Sequence, residues 1–276
     1  TPVQIVSGDA REKLKTIPDN TFHTCVTSPP YWGMRDYGHD DQIGAEDDIQ
    51  EYVRNLVTCF REVRRVLRED GSFWLNIGNT YTSGGRAWRA PDSKNKGRAM
   101  SYRPDTPDGL KPKDLIGVAW MVAMALQLDG WYLRSDIIWH KPNCQPESVK
   151  DRVTVSHEYL FMLTKSEKYY FDQTAIMERT ADGKSMKNRR TVWAINTEPC
   201  KEAHFAVFPR ELVRPCILTD SPPDGLVLDP FFGSGTVGAV AVETGRQCMG
   251  IEAKKEYIEI AKSRVSAAVP LLFTEC

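Results

Sequence analysis

The chain has 276 residues, 41% of them hydrophobic and 26% charged, with a formal net charge of −1. That length can bury one sizeable core with a small appended region, and the composition excludes a fibre, a collagen-like repeat and a disordered tail. No run approaches the roughly 18 apolar residues of a membrane span, and no basic-then-apolar segment opens the sequence, so neither a membrane protein nor a secretory leader is expected. Seven cysteines without CxxC spacing argue against a disulfide framework or structural zinc and point to a reducing cytoplasm. Five scattered histidines show no ligand spacing, so no metal site is expected.

Val3 to Val6 is a short β-type run ending in Ser7-Gly8-Asp9, and an amphipathic stretch follows from Ala10 to Ile17. Pro18-Asp19-Asn20 turns the chain. Thr24 to Thr27 has a buried-strand pattern and runs into Ser28-Pro29-Pro30-Tyr31-Trp32. Leu56, Phe60, Val63 and Leu67 share one face of a predicted helix from Ile49 to Leu67, stopped by Glu69-Asp70-Gly71. Phe73 to Ile77 is a predicted strand ending at Gly78-Asn79. Residues 82–113 read as an irregular insertion rich in Gly, Pro, Ser and basic residues. Leu115 to Leu128 predicts an apolar helix, and Tyr132 to Trp139 a strand ending at Lys141-Pro142-Asn143. His157 to Thr164 and Lys168 to Phe171 read as two strands joined by a polar turn, and residues 179–191 as polar and basic. Pro209 to Leu218 is helical, Leu226 to Leu228 a strand, and Thr236 to Thr244 a helix. Gln247 to Ile251 is a strand ending in Glu252, and a last amphipathic helix spans roughly Glu256 to Ala267. Strands alternating with helices predict an α/β fold with a mainly parallel sheet.

Two turns carry chemistry. Asp229-Pro230-Phe231-Phe232-Gly233-Ser234-Gly235-Thr236 lies between a strand and a helix, and Gly233 and Gly235 let a ligand approach the backbone. Glu252 follows 23 residues after Asp229, near the offset at which a carboxylate receives ribose hydroxyls in nucleotide-type folds. The dinucleotide fingerprint is incomplete and no phosphate-gripping Gly-Lys-Ser/Thr is present. An acidic cradle without a phosphate lysine suits a cationic nucleoside such as S-adenosyl-L-methionine. In the second turn, Pro29 and Pro30 lock the backbone and remove two donors, leaving carbonyls that need outside partners. An exocyclic amino group is such a partner, and the Tyr31 ring can stack on a planar base. Either turn alone also reads as a packing corner.

Ser28-Pro29-Pro30-Tyr31 early in the chain and Asp229 to Thr236 late in it resemble the amino-DNA methyltransferases of β type, in which the catalytic motif precedes the cofactor motif. Ser7-Gly8-Asp9-Ala10, Asn76-Ile77-Gly78-Asn79, Trp139-His140-Lys141-Pro142-Asn143 and His204-Phe205-Ala206-Val207-Phe208-Pro209 resemble that family's other blocks. The resemblance covers most of the chain. It implies one catalytic domain over 1–276 with a Rossmann-like, mixed seven-stranded sheet and S-adenosyl-L-methionine as cofactor. It implies a methionine cradle at Asp229, Pro230, Phe231, Gly233, Ser234, Gly235 and Thr236, an adenine contact at Asp9, a ribose contact at Glu252, and Pro209 beside the cofactor.

Members with Ser at the position of Ser28 mostly methylate cytosine N4, and those with Asp or Asn mostly adenine N6. The resemblance therefore implies site-specific cytosine-N4 methylation of duplex DNA, with a cognate restriction endonuclease as a partner acting on the same site. Adenine N6 is the alternative, and an RNA or small-molecule methyltransferase or a non-catalytic DNA-binding module are further ones. Carbon-5 methylation would need a nucleophilic cysteine, and neither Pro199-Cys200 nor Pro215-Cys216 sits in a strand-to-glycine turn. Cys216 reads as core.

The amino lone pair of cytosine is delocalised and poorly nucleophilic. The Ser28 hydroxyl and Pro29 carbonyl can accept its two N–H bonds, hold the nitrogen and raise its electron density, so positioning is the main catalytic device. The base must leave the helix, which costs a few kcal/mol, and Tyr31 is its stacking candidate. Regions 82–113 and 145–200 are the candidate DNA-contacting parts. The first carries Arg86, Arg89, Lys94, Lys96, Arg98 and Arg103, interleaved with Trp88 and Tyr102; the second carries Lys184, Lys187, Arg189 and Arg190. The acidic cluster Asp40, Asp41, Glu46, Asp47 and Asp48 is expected away from phosphates, and His140 reads as a structural hydrogen-bonder.

Overall fold

The computed structural model describes residues 2–34, 42–82, 104–198 and 208–268. The elements run β1 (Val3–Ser7), α1 (Ala10–Leu14), β2 (Phe22–Thr27), α2 (Ile49–Val66), β3 (Leu67–Ile77), α3 (Val118–Leu128), β4 (Tyr132–His140) and β5 (His157–Thr164). They continue with β6 (Glu178–Arg179), β7 (Met186–Lys187), β8 (Val192–Ala194), α4 (Arg210–Asp220), β9 (Leu226–Asp229), α5 (Thr236–Glu243), β10 (Gln247–Glu252) and α6 (Lys255–Ala268).

Eight strands form one sheet in the order β1-β10-β9-β2-β3-β5-β4-β8. The five from β1 to β3 are mutually parallel, and β5 runs antiparallel between β3 and β4. The expected mixed sheet of seven is present, and the three-residue β8 pairs parallel with β4 as an eighth. Strands buried on both faces read as short apolar runs. Along β3, Phe73, Leu75 and Ile77 face one core with Leu14, Tyr52, Leu56 and Phe60 of α1 and α2. Trp74 faces the other, with Leu212 of α4 and Val240 of α5. Burying a side chain such as Phe73 stabilises the fold by about 1.5–3 kcal/mol.

Local signals explain the helix boundaries. Asp48 caps α2 by accepting from the Gln50 N–H at 3.1 Å. The helix ends where Leu67 turns extended. The apolar run expected from Leu115 becomes helical only at Val118, because Gly117 adopts φ +74° and Asn79 Oδ1 accepts from the Ala119 N–H at 3.0 Å. The first helix stops at Leu14 rather than Ile17.

Other expectations change. Glu69-Asp70-Gly71 does not separate helix from strand; it lies inside β3, which starts at Leu67 and slips register against β2. Lys168 to Phe171 is not a strand beside β5, because β3 and β4 already occupy both edges of β5. It is a connector held by the Tyr170 N–H on the Asp70 carbonyl, 3.0 Å. The polar 179–191 stretch contains most of a hairpin, β6 with β7, that periodicity does not signal. Cys216 is fully buried, as expected. Among the described residues no helix is long and apolar enough to cross a membrane.

Candidate active site

The parallel strands end at one edge of the sheet, where α/β folds bind ligands. That edge receives Asp9 after β1, Glu252 from β10, Asp229 from β9, Ser28 after β2 and Asn76 near the end of β3. Because β5 is antiparallel, its beginning lies there too, which brings Glu158 beside Asn76 and the end of β4.

The glycine turn opens with Asp229, fully buried. Its Oδ1 accepts from Thr27 Oγ1 at 2.6 Å and from the Phe231 N–H at 3.1 Å. Burial pushes its carboxyl up to about 7, opposed by these two bonds. Glu252 Oε2 accepts from the Gly233 N–H and Oε1 from the Lys254 N–H, each at 2.8 Å, and burial raises this carboxyl as well. The Gly8 N–H donates to the Glu252 carbonyl at 2.9 Å, so the Asp9 loop lies against the same turn. Asp9 caps α1 through the Arg11 N–H at 2.7 Å and pairs with the Arg11 guanidinium.

The two glycines have different work. Among the described residues, Gly233, at φ +51°, has only the Phe231 carbonyl oxygen, 3.9 Å away, near the place of a Cβ, which leaves its outer face to a ligand. At Gly235, φ +78°, a Cβ would lie 2.9 Å from the Ala261 Cβ of α6, so this glycine admits a helix. Ser234 and Thr236 also face the protein: both hydroxyls accept from Arg264 Nη1, at 2.5 and 3.2 Å. The two phenylalanines diverge. Phe231 meets Phe60 of α2 edge to face at 6.3 Å, whereas Phe232 is wedged against Gly250 and Gly238 in the other core. Pro209 caps α4, which lies against α5. The open backbone at Gly233, flanked by Asp229 and Glu252, fits a cationic nucleoside.

The proline turn is anchored by the Tyr52 hydroxyl, which donates to the Pro30 carbonyl at 2.9 Å. Tyr31 is half-buried, and its hydroxyl donates to Glu158 Oε2 at 2.8 Å, while Ser28 Oγ approaches that hydroxyl at 3.5 Å. Asn76 Nδ2 donates to Glu158 Oε2 at 3.2 Å and to the Tyr159 carbonyl at 3.1 Å. Lys141 closes the network on Glu158 Oε1 and sits 4.2 Å over the Trp139 ring. Burial, then the Glu158 charge, raises the Tyr31 phenol well above its ordinary value.

A family model described as DNA methylase matches residues 22–263, spanning both turns. The chain belongs to the N6/N4 DNA methylase family. Type II methyltransferase M.SmaI of Serratia marcescens is 62% identical over 263 residues, covering 95% of this chain and 90% of that protein. M.Cfr9I of Citrobacter freundii is 59% identical over 261 residues, covering 95% and 87%. Among solved structures, the PvuII DNA methyltransferase, cytosine-N4-specific, shares the fold at a TM-score of 0.74 and 23% identity, covering 96% of this chain and 86% of that one. TTHA0409 of Thermus thermophilus, solved with S-adenosyl-L-methionine, aligns at a TM-score of 0.66 and 26% identity, covering 97% and 94%.

In this DNA methylase the expected site residues Asp9, Ser28, Pro29, Pro30, Tyr31, Asp229, Pro230, Phe231, Gly233 and Glu252 gather at one sheet edge. Arg86, Arg89, Lys94, Lys96, Arg98 and Arg103 lie outside the described residues, as do Asp40, Asp41, Cys200 and His204 to Val207. In the second basic tract, Lys187 and Arg190 both pair with Glu178, at 3.4 and 2.7 Å, and Arg189 stacks 4.3 Å over Trp193. Glu46 is structural: it accepts from the Gly44 N–H and from Asn55. Sequence reading missed Thr27, Glu158, Phe232 and Arg264. Glu158 had a weak signal, a carboxylate opening an otherwise apolar strand run.

Proposed function

We propose that this DNA methyltransferase is a type II enzyme that methylates the exocyclic N4 of cytosine within a specific duplex site, paired with a restriction endonuclease acting on that site. The observation that carries the reading is the bond from Thr27 to Asp229, which sets the Ser28 turn directly beside the cofactor turn. The type II relatives that match over almost the whole chain support the biological setting. Ser28 supports cytosine over adenine. S-adenosyl-L-methionine is the cofactor and supplies an electrophilic sulfonium methyl when bound.

The chain's own residues do the rest. Gly233 offers open backbone, Glu252 receives the ribose hydroxyls, Asp9 contacts the adenine, and the ionised Asp229 lowers the free energy of a nearby cation. The Ser28 hydroxyl and the Pro29 carbonyl accept the two amino N–H bonds. The prolines keep both acceptors in place, so attack geometry is set before the base arrives. Tyr31 offers a ring face to the extruded base, worth about 1–3 kcal/mol. Regions 82–113 and 145–200 hold the duplex, with Arg86, Arg89, Lys94, Lys96, Arg98, Arg103, Lys187, Arg189 and Arg190 as phosphate partners.

The deciding experiment is methylation of mixed-sequence DNA with methyl-labelled cofactor, digestion to nucleosides and identification of the labelled product. N4-methylcytosine is expected. N6-methyladenine overturns the base assignment and leaves the enzyme class intact. Label in RNA alone overturns the DNA reading.

A further inference from the structure

The amino nitrogen must lose a proton after it is methylated, and the one carboxylate of the two turns, Asp229, is fully buried with its Oδ1 taken by the Thr27 hydroxyl and the Phe231 N–H. We propose that Glu158 is the end point of a proton chain that runs from the substrate amino group through Ser28 Oγ and the Tyr31 hydroxyl. The proposal rests on the reading above in one respect, that Ser28 faces the amino group.

The directions of the hydrogen bonds agree along the chain. Ser28 Oγ donates toward the Tyr31 hydroxyl at 3.5 Å, and that hydroxyl donates to Glu158 Oε2 at 2.8 Å, leaving a Ser28 lone pair to accept from the amino group. The first step is long, and catalytic hydrogen bonds commonly shorten on substrate binding. Tyr52 uses its hydroxyl on the Pro30 carbonyl, and Asn76 donates to Glu158 Oε2 and to the Tyr159 carbonyl. Asn76 Oδ1 also faces the Tyr31 hydroxyl at 3.4 Å, and the Glu158 oxygen is the nearer acceptor at 2.8 Å. Lys141 pairs with Oε1, which leaves Oε2 to the Tyr31 hydroxyl. Gly78 makes room: a Cβ there would lie 3.1 Å from both Tyr31 Cε2 and Glu158 Cγ. The carboxylate is 19% exposed, which gives the proton a way out to water.

The step balances. The nitrogen lone pair forms the new N–C bond as the C–S bond breaks, and sulfur leaves as a neutral thioether. The nitrogen then carries the positive charge and one surplus proton. That proton passes to Ser28 Oγ as the serine proton passes to the Tyr31 oxygen and the tyrosine proton to Glu158 Oε2. The charge ends as a neutral carboxylic acid beside Lys141. Glu158 acts through Tyr31 and does not touch the base.

Glu158→Gln keeps an acceptor oxygen for Tyr31 but cannot take the proton, and Tyr31→Phe keeps the stacking ring but breaks the chain. Single-turnover methylation with saturating cofactor and DNA is measured from pH 5.5 to 9. Each variant is expected to be at least roughly tenfold slower at neutral pH and to recover as pH rises and hydroxide takes the proton. The double variant is expected to be no slower than the slower single one, because both interrupt one chain. A second readout needs no turnover: with ring-labelled tyrosine, NMR titration of Tyr31 is expected to move to lower pH in Glu158→Gln, since Lys141, Ser28 and Tyr52 remain and only the facing anion is removed. Wild-type rates in either single variant, additive losses in the double, or an unmoved Tyr31 titration each overturn the chain while the assigned function stands. If Glu158→Gln does not fold, a wild-type rate in Tyr31→Phe overturns it. A wild-type protein that methylates no amino group overturns the function and the chain together.

Discussion

Thr27 Oγ1 donates to Asp229 Oδ1 at 2.6 Å, joining the last residue of β2 to the last residue of β9. The two residues are 202 positions apart, and each is followed by one of the two candidate turns. One buried bond therefore sets the distance between the turn proposed to hold the base and the turn proposed to hold the cofactor. Thr27→Val is close in shape and removes this donor, leaving the buried Asp229 with the Phe231 N–H. It is expected to cost about 1–3 kcal/mol in a urea titration at pH 8 and to raise the cofactor dissociation constant.

Asp229 makes stability depend on pH in a definite direction. Its carboxyl titrates at about 7 when buried, against 3.8 as the ordinary value. Between these the native state holds a proton that the unfolded chain has released, so stability is full below about 3.8, falls as pH rises, and levels off above about 7. Asp220, raised to about 7 by burial, acts in the same sense. The difference between wild type and Asp229→Asn isolates Asp229, and the variant is expected to gain relative stability from pH 4 to 7, by an amount on the order of a few kcal/mol.

The same carboxyl couples to the cofactor. A cation bound beside Asp229 favours the ionised form, so binding at pH 6 is expected to release a proton that binding at pH 8.5 does not. Calorimetric titrations in buffers of different ionisation enthalpy read this directly. Asp229→Asn should bind more weakly and show no proton release from this group.

Gly233 and Gly235 should separate binding from stability. Gly233→Ala meets no atom of the described residues closer than 3.9 Å and costs mainly the strain of its left-handed backbone, roughly 1 kcal/mol, while the methyl group intrudes on the proposed cofactor face. It should stay folded and bind S-adenosyl-L-methionine poorly. Gly235→Ala drives a methyl into Ala261, and overpacking adds about 1–3 kcal/mol to the strain. Thermal melting should show the larger loss at Gly235.

Phosphate binding is read from salt dependence. Replacing Arg86, Arg89, Lys94, Lys96 and Arg98 together by alanine is expected to reduce the slope of log K against log salt by roughly 0.9 for each phosphate partner removed. Replacing Lys187 and Arg190, which share Glu178, should change it less, because part of their charge is already neutralised within the protein. Equal changes in the two sets would remove the distinction.

The sequence alone determined what is local. Proline and glycine punctuation marks both functional turns, because a residue without an N–H or without a Cβ restricts or frees the backbone wherever it stands. Apolar runs at strand length and helical spacing from Ile49 identify most elements, since each must bury a face whatever its neighbours are. Tertiary structure decided which elements meet. The late strands β9 and β10 insert between β1 and β2, and only that pairing brings Thr27 to Asp229 and Gly8 to Glu252. The antiparallel direction of β5 turns an unremarked strand-opening glutamate into the partner of Tyr31. Packing of α6 set Gly235 against Ala261 and brought the Ser234 and Thr236 hydroxyls to Arg264. No periodicity encodes these contacts, because strand order and direction follow from how whole faces bury against each other across the chain.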